Sequence, residues 1–76
     1  MDRSEILAVI NNGRGLAEDA IFEEAGVDSI EVVEMLCAAQ KRYGINVHIT
    51  EMGIYAMKKV GDLVDLIQKK LVEKAS

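Results

Sequence analysis

The chain has no proline, no tryptophan, one cysteine, one histidine and no long apolar run, and each scarcity removes a class of function. Cys37 has no second cysteine to pair with, and a single histidine, His48, cannot build the Cys/His cluster of a structural zinc site. No metal site is expected. No apolar stretch approaches the roughly 20 residues that span a bilayer. The start, Met1-Asp2-Arg3-Ser4-Glu5, turns polar at once, which argues against a secretory leader and for a cytoplasmic protein. Positive charge is scarce too: nine basic residues stand against thirteen acidic ones, a net charge of −4. That balance opposes nucleic acid and anionic lipid, and favours a basic protein surface as partner. At 76 residues the chain reads as one domain, 1–76, expected to be a monomer. A domain of this size buries only about 60% of the surface its unfolded chain exposes, enough for one modest core but not for a deep enclosed active site.

What is present is helical periodicity interrupted by turn signals. A first helix is expected from Asp2 to about Asn11, with Asp2 and Glu5 in capping-box spacing, an apolar face of Ile6, Leu7, Val9 and Ile10, and Asn12-Gly13 as the stop. Gly13 to Val27 has no long period and reads as a long ordered loop, pinned to the core by Leu16, Ile21 and Phe22. The second helix is predicted over Ser29 to Tyr43, with Asp28 and Glu31 in capping-box spacing and Gly44 as the stop. Its core stripe is Val32, Met35, Leu36, Ala39 and Tyr43. Ile45 to Ile49 alternates like a strand, but without a second strand to pair with it reads as an extended connection. Thr50 is placed to cap a short helix over about Glu51 to Lys58, burying Met52, Tyr55 and Ala56. Asp62 is read as the start of the last helix, with Leu63, Ile67 and Leu71 as its stripe. The expected fold is therefore all-α: a small four-helix bundle of three main helices and one short one, with a long loop between the first two.

The most informative position is Ser29. It stands at the start of an amphipathic helix, where first-turn N–H groups lack helical partners and the helix dipole favours an attached phosphate. The face beyond it carries Ile30, Glu34, Cys37 and Lys41 within a sector of roughly 60°, away from the core stripe. Exposed apolar groups there point to something that docks. As a nucleophile Ser29 would need an adjacent general base, yet the only histidine lies in a different segment and the Gly-x-Ser-x-Gly elbow is absent. No catalytic residue is assigned and no enzyme is expected. A capping serine on an unmodified acidic adaptor, binding through Ile30 and Cys37, is the plain alternative.

Phe22-Glu23-Glu24-Ala25-Gly26-Val27-Asp28-Ser29-Ile30, followed by Val33, Glu34 and Met35, resembles the acyl carrier protein family along essentially the whole chain. The resemblance implies a covalent 4′-phosphopantetheine on Ser29, added by a phosphopantetheinyl transferase, whose thiol holds acyl groups as thioesters for fatty-acid, polyketide or related acyl-transferring and synthase enzymes with basic docking surfaces. It also implies that Asp28, Ile30, Glu31, Glu34 and the position of Cys37 form the partner-binding surface; with only Lys41 nearby to activate its thiol, Cys37 itself reads as a passive small hydrophobe at the rim. The family often shelters the acyl chain between helices, with which the small residues Ala38, Ala39, Gly53 and Ala56 are compatible. Ile30 stands where leucine is commoner, and Gln40-Lys41-Arg42 where many fatty-acid carriers are acidic. Those departures leave room for a carrier dedicated to a specialised pathway, and peptidyl or aminoacyl carriage is the alternative cargo.

Overall fold

A computed structural model describes residues 2–47 and 57–75 of the chain. The described residues form three helices: α1 (Arg3–Asn11), α2 (Ser29–Tyr43) and α3 (Val60–Ala75). The all-α class holds. Of the short helix expected over about Glu51 to Lys58, residues 51–56 lie outside the described residues, as do Thr50 and His48, while Met57 and Lys58 are not helical.

Each helix packs against the other two through the stripes the periodicity marks. Ile6 and Ile10 from α1, Val32, Met35, Leu36 and Ala39 from α2, and Val60, Leu63, Val64 and Ile67 from α3 are all buried in one cluster. Burying a side chain of this size contributes about 1.5–3 kcal/mol relative to exposure, so this shared cluster is the principal stabilising term. Tyr43, expected in the stripe, is only half-buried; the guanidinium of its neighbour Arg42 lies 5.6 Å from its ring centroid.

Capping chemistry sets most of the helix ends, with corrections at three of them. Asp2 caps α1 through the N–H of Ser4 at 3.0 Å rather than through Glu5, and Asn12 supplies the left-handed turn at φ 46° where glycine was expected to do so. For α2 both boundaries match: Asp28 accepts from the Glu31 N–H at 2.9 Å, and Gly44 at φ 64° ends the helix. Lys74 closes that end further, its ammonium donating to the carbonyls of Tyr43 and Gly44 at 2.8 and 3.2 Å. The last helix begins at Val60, two residues before Asp62.

That earlier start follows from contacts with the long loop. The N–H groups of Val60 and Gly61 donate to the carbonyls of Ala20 and Glu18 at 3.0 and 2.8 Å, so two donors that helix geometry leaves unpaired are taken by the loop. Phe22 donates its N–H to the Lys58 carbonyl at 2.9 Å, beside an isolated bridge between Ile21 and Lys59. The loop is thereby fastened to α3. Phe22 plugs the core while Ile21, expected to pin the loop, faces out at 37% exposure, because adjacent residues of an extended segment point to opposite sides. Arg3 ties α1 to the same loop and helix by bonding Glu18 of the loop and Asp65 and Gln68 of α3.

Candidate functional site

Residues 21–28 deliver the chain to the start of α2 through a tight reversal. The Ala25 N–H donates to the Ile21 carbonyl and the Val27 N–H to the Phe22 carbonyl, both at 2.9 Å, so the Phe22 side chain and backbone both anchor the turn. Gly26 makes the reversal at φ 74°, where a Cβ would meet no neighbour but would strain the backbone. Val27 then buries and Asp28 is extended at φ −88°, ψ 178°, in position to cap. A phenylalanine, a glycine, an apolar residue and an aspartate thus each have one task in setting the next residue on the surface.

That residue, Ser29, is the first of α2 and is exposed. Asp28 performs the capping, so the serine hydroxyl is not consumed by it. Among the described residues it has no hydrogen-bond partner. The reading of Ser29 as a mere cap is therefore corrected. The hydroxyl opens on a groove of about 430 Å³ whose walls include Phe22, Val27, Val32 and Met57, with Lys58 among the polar residues lining it. A phosphodiester fits these surroundings: a free hydroxyl at a helix N-terminus, with a lysine on the same groove.

The expected partner surface is placed on the outer side of α2. Ile30 is 69% exposed, and Glu34, Cys37 and Lys41 are exposed along the helix above it. Cys37 has only a long contact, 3.9 Å from Gln40 Nε2 to its sulfur. Asp28 is exposed beside Ser29, whereas Glu31 is half-buried. Helical geometry puts Cys37 about 12 Å along the axis from Ser29, about two turns farther up the helix. Of the small residues considered for acyl shelter, Ala38 and Ala39 lie on α2, while Gly53 and Ala56 fall outside the described residues.

One participant was not legible in the sequence. Arg14, from the loop after α1, reaches α2 and pairs with Glu31 at 3.4 Å and Glu34 at 3.6 Å. It is aimed by Asn11, whose buried amide donates to the Leu16 carbonyl at 2.8 Å and accepts from the Leu16 N–H at 3.0 Å. The only local sign was Asn-Asn-Gly-Arg-Gly itself, a turn-rich run around one long cation. Among the described residues there is no cluster of three metal-ligating groups and no helix long and apolar enough to cross a membrane.

Known proteins agree with this geometry. A family model described as the phosphopantetheine attachment site matches residues 4–67, which include the turn, Ser29 and the first half of α3. An acyl carrier protein homolog of Mycoplasmopsis pulmonis (strain UAB CTIP) is 31% identical over 55 residues, 72% of this chain and 73% of the relative. The crystal structure of an acyl carrier protein from Thermotoga maritima superposes with a TM-score of 0.72 at 26% identity, covering 93% of this chain and 87% of that one. The chain belongs to the phosphopantetheine attachment-site family, that of the acyl carrier proteins, with 4′-phosphopantetheine as its cofactor and acyl carriage as its function.

Proposed function

We propose that the oxygen of Ser29 is the attachment atom, esterified by a phosphopantetheinyl transferase. The observation that carries this is the division of labour at the start of α2: Asp28 takes the cap and leaves the adjacent hydroxyl exposed and unpartnered. When bound, the arm supplies a terminal thiol that holds an acyl group as a thioester. The chain's own residues position and present. Asp28 fixes the first turn of α2, the groove beside Ser29 offers the arm apolar wall, and Ile30 offers partners an exposed apolar contact. Asp28, Glu31 and Glu34 add negative charge, and Cys37 adds a small apolar group farther along the helix.

In this reading the chain performs no covalent step itself. It acts as a single-domain cytoplasmic monomer, meeting the transferase and then acyl-transferring or synthase enzymes of fatty-acid, polyketide or related pathways through their basic docking surfaces. Docking that covers Ile30 contributes about 1–2 kcal/mol from apolar burial, enough for Ile30→Ala to weaken partner binding roughly five- to thirtyfold.

Intact mass after coexpression with a broad-specificity phosphopantetheinyl transferase tests the proposal. The wild-type chain is expected to gain one phosphopantetheine increment and Ser29→Ala none. An unchanged wild-type mass sinks the carrier reading and leaves the unmodified adaptor. An increment that persists in Ser29→Ala moves the attachment elsewhere.

A further inference from the structure

Arg14 sits between two glycines, Gly13 at φ 91° and Gly15 at φ 71°, neither of which would meet a neighbour if it carried a Cβ. These glycines are therefore required by backbone conformation, not by space. Together with Asn12 at φ 46° and the Asn11–Leu16 clasp, they close a short loop that holds one residue out toward α2. The guanidinium there meets three acceptors: the Asn11 carbonyl at 3.3 Å, Glu31 at 3.4 Å and Glu34 at 3.6 Å. Its side chain keeps 27% of its exposure, and that of Glu34 keeps 64%. The loop is closed by its own hydrogen bonds, and the ion pairs are long compared with an N–H···O bond near 2.9–3.0 Å, so the pairs can exchange for others.

We infer that Arg14 is an internal competitor for the cations of docking partners, and hence a specificity-determining residue of the α2 surface. This rests on the reading of that surface as the docking face. A partner lysine or arginine approaching Glu31 or Glu34 has either to displace Arg14 or to stand beside a like charge. Lys41 adds a second cation on the same face. The surface thus disfavours a densely basic partner and favours one that reads the apolar Ile30 and brings few cations, although the chain as a whole is acidic. Net charge draws partners in; Arg14 selects among them.

The test uses a broad-specificity phosphopantetheinyl transferase with a basic docking surface. Modification of Ser29 is measured as kcat/KM from low to high salt for wild type, Arg14→Gln, Arg14→Lys and Lys69→Gln. The last removes the same charge from an exposed position on α3. Arg14→Gln is expected to raise kcat/KM about three- to tenfold at low salt, with the gain fading as salt screens it. Lys69→Gln should stay within about twofold of wild type. Arg14→Lys, which keeps the charge but loses the fork, should fall between wild type and Arg14→Gln, and it serves if Arg14→Gln does not fold. Glu34→Gln should lower kcat/KM more in the Arg14→Gln background than alone. An Arg14→Gln or Arg14→Lys protein equal to wild type overturns the inference, as does an equal gain from Lys69→Gln. A wild-type mass that never rises sinks the carrier reading instead. Calorimetric titration of the transferase with the Ser29→Ala forms still reads the Arg14 effect in that case: tighter binding on removal of Arg14 supports it, and equal binding overturns it.

Discussion

Two helix starts in this chain use the same physics to opposite ends. At α3 the first N–H groups are closed off: Val60 and Gly61 donate to the carbonyls of Ala20 and Glu18, and the Asp62 carboxylate accepts from Lys58 and Lys59, both at 3.0 Å. At α2 a single bond from the Glu31 N–H to Asp28 does the capping, and the neighbouring Ser29 hydroxyl is left to solvent. The first arrangement fastens the long loop to the bundle. The second leaves an exposed hydroxyl at an electropositive end without asking it to hold the fold together. An aspartate near a helix start can serve either purpose, and what decides is whether another segment is packed against it.

The largest effect that would break this comparison lies at Ser29. Ser29→Ala should abolish phosphopantetheinylation outright while moving the urea unfolding free energy by no more than about 0.5 kcal/mol, since an exposed hydroxyl with no partner among the described residues is lost. A large loss of stability in that variant would mean the serine is structural after all. Asp62→Ala should do the reverse, lowering stability by about 1–2 kcal/mol at pH 7 through loss of its two accepted N–H bonds while the phosphopantetheine mass increment is still gained in full. The Asp62 effect carries a pH signature. The N–H bonds from Lys59 and Lys58 hold its carboxyl below the ordinary carboxylate range. A depressed folded-state pKa contributes stability that is complete above the unfolded value, about 3.9, and is lost as pH falls through the folded value. Urea midpoints for wild type and Asp62→Ala should therefore differ at pH 7 and converge as the pH falls below the unfolded value and through the lower folded one.

Asp28→Ala comes next, at about 1 kcal/mol for loss of the α2 cap. Thermal melts of the two aspartate variants rank the two helix starts directly, and a larger loss at Asp28 than at Asp62 would invert the comparison. A stability effect as small as that of Ser29→Ala is expected for Ile30→Ala, within about 0.5 kcal/mol because the side chain is already 69% exposed. Its consequence should appear only in partner binding.

The parts legible in the sequence are those written within a few residues. The boundaries of α2 follow from Asp28 capping three residues ahead and Gly44 turning left-handed, and the core stripe follows from a 3.6-residue period. The face of Ile30, Glu34, Cys37 and Lys41 is exposed as the same period implies. At α3 and in the long loop, where the expectation slipped most, a distant segment was responsible. The start of α3 moved from Asp62 to Val60 because the loop carbonyls of Glu18 and Ala20 accept its first N–H groups. Ile21 faces out and Phe22 in because the loop lies against Lys58 and Lys59, about 37 residues away in sequence.

By itself the sequence determined the all-α class, the α2 helix and the presentation of Ser29 after Phe22, Gly26 and Asp28, because caps, turns and helical periodicity are short-range and their donors and acceptors are near neighbours in the chain. Only the tertiary structure decided that Arg14 would cover Glu31 and Glu34, that the long loop would fasten to α3, and that Asp62 would strengthen that junction instead of opening the helix. Those outcomes depend on groups brought together by burial of the common core. Coulombic and hydrogen-bond contacts fall off over a few ångströms, so their partners are settled by the packing and not by distance along the chain.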